Sequence, residues 1–291
     1  MEQYAAKLIE NLPPSPQKLE INLVLDGGAF NGSYLVGGLY FLREMEKHNM
    51  IHVDKISGCS IGSFVAFVYL TNRLDIVDEF MRCALDDFRN SFHFKRIIEK
   101  LRELPLEPNE YQALNKRLFI TFYNIRNQKK IVRSKYKSNE DVIESIIKSC
   151  FIPYIMTGSV TYDKYFIDGL SPYIFREKKG KQVLFMNLIS FDKFINVFVV
   201  KNEHNSYTRM LKGLLDVQNF FISQSATSMC SYVSHWSLFD KGKYLLRRFV
   251  EHILVFILSL WREVDTSHVL IQFLQIVSKE TYQLLLKNYC L

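Results

Sequence analysis

Several features that sort a protein into a class at first sight are missing from this sequence. Its five cysteines, Cys59, Cys83, Cys150, Cys230 and Cys290, are scattered and odd in number. They form no C-x-x-C pair, which disfavours a zinc site and a disulfide framework and makes reduced, cytosol-like surroundings the simpler reading. There is no EF-hand loop and no cluster of His and Cys ligands, so no metal and no other cofactor is expected. The N-terminus, Met1-Glu2-Gln3-Tyr4, lacks a basic n-region and a long apolar h-region, so no signal peptide is expected. The apolar run Ile253 to Trp261 is shorter than the ~20 residues that cross a bilayer. No internal repeat or low-complexity tract occurs. The net charge of +7 is accompanied by no nucleic-acid motif. No nucleic-acid partner is expected, and an anionic membrane surface suits the charge better.

What is present describes a globular chain. Apolar residues make up 48% of the 291, enough for a full core without covalent staples. The organising stretch runs from Ile21 to Leu70. An apolar strand, 21–25, enters the turn Asp26-Gly27-Gly28-Ala29-Phe30-Asn31-Gly32. Leu35, Leu39, Leu42 and Met45 recur at helical spacing over 33–49. A short strand, 53–57, then enters Gly58-Cys59-Ser60-Ile61-Gly62, and an apolar helix follows over 60–72. This alternation is the unit of a parallel sheet.

The pentapeptide is G-x-S-x-G. A serine on a sharp strand-to-helix turn has its hydroxyl pushed clear of the sheet. The helix behind it aims free N–H groups at any negative charge forming there. Backbone N–H groups at Gly27, Gly28 and Ala29 supply an oxyanion cradle of the kind acyl transfer needs.

Further along, 117–124 reads as a strand and 131–136 as its hairpin partner. Ser138-Asn139-Glu140-Asp141 resembles a capping box for a helix reaching Cys150, which Pro153 ends. A hairpin-like pair over 157–167 leads into Asp168-Gly169. Strands are expected over 182–189 and 194–201, and helix from about Asn205 onward.

Taken in order, the Gly-rich turn, the G-x-S-x-G elbow, Ser149-Cys150-Phe151-Ile152-Pro153 and Phe166-Ile167-Asp168-Gly169 resemble the patatin-like phospholipase family over roughly residues 20–200. The resemblance implies a three-layer α/β fold with a mostly parallel central sheet and a helical C-terminal third. Residues 20–200 would be the acyl hydrolase core and 201–291 a helical extension packed on it. It also implies a serine–aspartate dyad, with Ser60 as nucleophile and Asp168 as base. Gly27, Gly28, Ala29 and the Ile61 N–H would serve the oxyanion, and Gly32, Gly58, Gly62 and Gly169 would be motif glycines. The implied activity is metal-free hydrolysis of a phospholipid or other acyl lipid. The scattered cysteines, an N-terminus without signal-peptide features and the net charge of +7 lead to the expectation of a cytoplasmic protein in reversible contact with membrane. The chain departs from the family at Asn31, where a basic residue is usual. After Asp168-Gly169 it keeps only Pro172 of an Asn-rich stretch.

Two other functions stay open. An α/β-hydrolase triad would draw its histidine from His204, His235, His252 or His268. A catalytically weak lipid-binding protein on the same fold would account for Asn31. Two stretches also have two readings each. The basic run Arg126, Lys129, Lys130, Arg133, Lys135, Lys137 is either a solvated hairpin or a face for anionic membrane. The apolar run 253–261 reads first as a buried core helix and second as an interfacial one.

Overall fold

In the strand Leu19–Leu25, Ile21, Leu23 and Leu25 enter one apolar cluster while Val24 enters another. Strand side chains alternate between faces, so this strand is covered on both sides, as its near-continuous apolar run requires. The structure, a computed structural model, describes residues 1–13, 18–190, 193, 197–201, 203, 205–263, 280, 281, 284 and 288.

That strand is β1, and it lies at the centre of the sheet. It pairs in parallel with β2, Ile51–Cys59, and with β6, Gln182–Met186. Strand β3, Leu118–Asn124, continues the parallel set beyond β2. Antiparallel strands close the edges: β4, Lys129–Arg133, on β3, and β7, Cys230–Tyr232, on β6. The short β5, Phe166–Asp168, also runs antiparallel to β3.

Helices cover one face over the main apolar cluster. They are α1, Glu2–Ile9; α2, Gly32–Lys47; α3, Ile61–Leu70; α4, Val77–Ser91; α5, Lys95–Arg102; α6, Tyr111–Leu114; α7, Asn139–Cys150; and α8, Tyr207–Ser223. Helices α2 and α8 meet backbone to backbone. A Cβ on Gly37 would lie 1.7 Å from the Met210 carbonyl oxygen, and one on Gly213 would lie 1.9 Å from that of Tyr34. The opposite face is covered by Tyr173, Ile174 and Phe175 and by α9, Leu238–Glu263. The result is a three-layer α/β fold with a mostly parallel central sheet.

Most expected elements are present, and Ser138 caps α7 by accepting from the Asp141 N–H at 3.2 Å. The differences have local causes. The pair expected over 157–167 reduces to a Tyr162–Phe166 bridge, because β5 takes β3 as its partner. Residues 197–201 are irregular, and 194–196 lie outside the described residues. The mainly helical C-terminal third also contributes β7, whose Cys230 is buried against the core. The run 253–260 is not a buried core helix. Val255 is buried, but Ile253, Leu254, Phe256, Ile257 and Leu260 are exposed, because polar side chains of the same helix occupy its inward face. Among the described residues no helix is long and apolar enough to cross a membrane.

Candidate active site

Strand β2 leaves the sheet at Cys59, opposite Thr121 of β3. The next residue of β3, Phe122, pairs with Asp168 of β5. Because β4 occupies the other edge of β3 at Phe122, β5 enters in line with β2, just where β2 departs. The residue after Cys59 is Ser60, so the register itself brings Ser60 and Asp168 together.

Ser60 stands between β2 and α3 with φ 52° and ψ −136°, a conformation that costs a non-glycine residue on the order of 1–3 kcal/mol. Several contacts hold it there. Its N–H donates to Ser149 Oγ at 2.9 Å, and Ser149 Oγ donates to the Thr121 carbonyl at 2.7 Å. Its carbonyl accepts from the Ser63 hydroxyl at 2.7 Å. A Cβ at Gly62 would lie 2.5 Å from the Asp26 carbonyl oxygen, so only glycine lets α3 start this close to β1. Gly58 faces Gly62 in the same way, Gly32 abuts Ile61, and Gly169 abuts the Thr121 carbonyl.

Asp168 is buried. Its Oδ1 accepts the Leu170 N–H at 2.7 Å, and the Ser60 side chain also approaches its carboxyl. Oδ2 has no donor in full hydrogen-bonding geometry among the described residues. Burial pushes the Asp168 carboxyl up to about 6; the contacts from Ser60 and the Leu170 N–H and the charge of Lys130 pull the other way.

The glycine turn lies against Ser60, with a Cβ on Gly27 falling 3.0 Å from that of the serine. The Gly27 N–H is already taken, donating to Asp26 Oδ1 at 2.9 Å. The N–H groups of Gly28, Ala29 and Ile61 have no partner among the described residues. Of the four N–H groups singled out in the sequence, that of Gly27 is thus already engaged. Asn31, in the position of the missing basic residue, is buried. Its Nδ2 donates to the Leu188 and Lys193 carbonyls, and its Oδ1 accepts from Arg209 Nη1 at 2.6 Å. The Arg209 guanidinium of α8 thus bonds the turn through Asn31 while pairing with Glu203 at 2.7 Å.

The sequence offered no local signal for the charged side chains around this centre. Lys130 turns inward from the basic run, donating to Ser171 Oγ at 2.6 Å and pairing with the buried Glu251 of α9. Arg133 is taken up by Asp141 at 2.7 Å. Arg247 of α9 pairs with Asp26 and donates to the Leu170 carbonyl. Burial lowers the Lys130 ammonium to about 8 despite Glu251.

No described histidine bonds to Ser60 or Asp168. His252 is exposed on α9 and meets the Tyr123 ring edge-on; His235 packs on Tyr232. His204 and His268 lie outside the described residues. Among the described residues no cluster of His, Cys, Asp or Glu could hold a metal ion. An apolar cavity opens at Ser60, walled by Phe64, Phe80, Met81, Phe94, Ile97 and Leu101 with Cys150 and Met156. Its lining is almost wholly apolar.

The family model described as patatin-like phospholipase matches residues 23–170. The 1-acylglycerol-3-phosphate O-acyltransferase Pnpla3 of Mus musculus is 24% identical over 162 residues, 52% of this chain and 39% of that protein. The protein of the same name from Homo sapiens is 22% identical over 142 residues, 46% of this chain and 30% of its own length. The human patatin-like phospholipase domain-containing protein 4 is 25% identical over 143 residues, 46% of this chain and 56% of that protein. The matched part is thus between 30% and 56% of the relatives' length. The family model spans just over half of the chain and takes in the elbow, the glycine turn and Asp168, and the chain belongs to the patatin-like phospholipase family.

Proposed function

We propose that the protein is a serine acyl hydrolase acting on phospholipids or lysophospholipids through a Ser60–Asp168 dyad. The observation that carries this reading is the strained Ser60, held beside a buried carboxylate at the mouth of an apolar cavity. Asp168 takes the Ser60 proton as Ser60 Oγ attacks the ester carbonyl. The N–H groups of Gly28, Ala29 and Ile61 receive the oxyanion. Collapse of the tetrahedral intermediate breaks the ester C–O bond, and the proton held by Asp168 passes to the leaving alkoxide. Water, deprotonated by Asp168, then attacks the acyl-serine and regenerates Ser60. A carboxylate poised near pH 6 suits this work better than one near 4, because it binds the proton more firmly while remaining ionised at neutral pH.

The acyl-serine is common to hydrolysis and to transfer, and two relatives are named as acyltransferases. The test is a panel of radiolabelled phospholipids, lysophospholipids and neutral glycerides, with and without added 1-acylglycerol-3-phosphate. Wild type should release free fatty acid from phospholipid. Ser60→Ala should not, and should not react with a fluorophosphonate probe. Asp168→Asn should lose at least ~10²-fold, while His235→Ala and His252→Ala stay within a small factor. Acyl transfer exceeding fatty-acid release would reassign the acceptor. A folded Ser60→Ala protein that turns over substrate would end the dyad reading.

A further inference from the structure

Helix α9 is built inside out. On most helices at a protein surface the apolar stripe faces the core and the polar side chains face water. Here Arg247, Arg248 and Glu251 point inward, to Asp26, Ser171 and Lys130. Leu246, Phe249, Ile253, Phe256, Ile257 and Leu260 point outward and are between 42% and 63% exposed. No described residue covers them. From 241 to 260 the helix has one carboxylate, Glu251, and it is buried. Cations stand at both ends of the apolar face. Lys241 and Lys243 are exposed on the first turns; Asp240, the exposed carboxylate there, is bonded to Ser237. At the far end, the turn carrying the exposed Arg126 and Lys129 is joined to α9 by Gln128 Nε2, which donates to Ser259 Oγ at 3.1 Å.

We propose that the outward face of α9 docks on a lipid surface, with its apolar side chains in the headgroup–acyl boundary and the flanking cations at the headgroups. An apolar face rimmed by lysine and arginine has the composition of an interfacial helix. A lipid surface also fits the neighbourhood: the opposite side of the same helix holds Asp26, whose neighbour Gly27 lies against Ser60, and the carbonyl of Leu170, whose N–H bonds Asp168. The dock is therefore rigidly tied to the site that would draw its substrate from that surface. The argument rests on the lipid reading above, and it reassigns the docking role that the basic hairpin was expected to play. Lys130 and Arg133 are spent on internal partners, and apolar burial takes the lead.

The test uses the full chain and vesicles of phosphatidylcholine, alone or mixed with phosphatidylserine. Wild type should co-sediment with both, more with the mixture, and should remain bound to both in high salt. The variant Phe249→Gln/Phe256→Gln/Ile257→Gln keeps good helix formers. It should lose at least ~10-fold in binding, since three exposed apolar side chains are removed, while hydrolysing a small soluble ester within about twofold of wild type. Unchanged vesicle binding by the variant would overturn the proposal, and so would wild-type binding that salt abolishes. A wild-type dimer that ignores vesicles, made monomeric by the substitutions, would assign the face to a second copy instead. Sedimentation is read without turnover, so a failed dock and a failed hydrolase are told apart by the soluble-ester arm.

Discussion

Arg247 grips Asp26 with both guanidinium nitrogens, at 2.8 and 2.7 Å, and Asp26 is completely buried at the end of β1. Burial opposes the charge on Arg247, but Asp26 more than offsets it, and the guanidinium stays protonated beyond its ordinary range. Asp26 in turn holds the glycine turn through the Gly27 N–H and the segment after β6 through the Leu188 N–H. Arg247 also holds the Leu170 carbonyl, two residues past Asp168. One side chain from the C-terminal third thus ties the two loops of the site together across 221 residues of sequence.

Breaking that pair should therefore cost both stability and rate. Arg247→Met leaves a buried carboxylate without its partner, a loss of about 3–5 kcal/mol. Adding Asp26→Asn should recover part of the stability, because the stranded charge is gone. It should not recover kcat, because the neutral pair no longer ties the loops. Arg247→Lys should recover little of either, since an ammonium cannot make the two-pronged contact. Urea unfolding and steady-state kinetics on wild type, Arg247→Met, Asp26→Asn, the double variant and Arg247→Lys check this. Single substitutions that are additive in stability would show that the pair is not coupled.

Strain at Ser60 gives a second expectation. Glycine adopts positive φ freely, so Ser60→Gly should be more stable than wild type by about 1 kcal/mol while losing ester hydrolysis. Ser60→Ala should lose the same activity without the gain, because alanine keeps its Cβ. Thermal unfolding of the two variants side by side decides. Equal melting temperatures would mean that the backbone at Ser60 stores no strain.

The acid limb of the pH profile reports the third. In the proposed mechanism Asp168 must be ionised to act as base, and burial has raised it to about 6. The rate, as kcat/KM on a soluble ester, should fall as pH drops through about 6 and level off above 7. Lys130 stabilises the ionised form. Lys130→Met removes that charge, so the midpoint should move to higher pH. The neighbouring Glu251 keeps Arg247 and Arg248 as partners, which limits the structural damage. An acid limb that stays in place in Lys130→Met would show that Lys130 does not act on Asp168.

Order along the chain was legible wherever the backbone alone sets the outcome. Small residues at Gly58 and Gly62 around Ser60, an apolar approach and an apolar helix are local requirements of the elbow, and they read directly. So did the parallel sheet, from alternating strand and helix patterns, and the resemblance pointed to Asp168 as a residue that the fold brings to Ser60. What the sequence could not convey depends on which side chains meet from distant segments. Lys130 looks like one more cation of a solvated hairpin, and only the packing of α9 against β4 turns it inward. The Gly27 N–H looks free for an oxyanion until Asp26 folds back onto it. Asn31 looks like a lost charge, and only the fold shows its side chain bonded to Arg209, 178 residues away, which in turn pairs with Glu203. The run after Ile253 looks like core because its apolar content is high. Tertiary structure put its polar neighbours inside, where Asp26 and Lys130 needed partners in a dry interior, and that left the apolar side chains facing out.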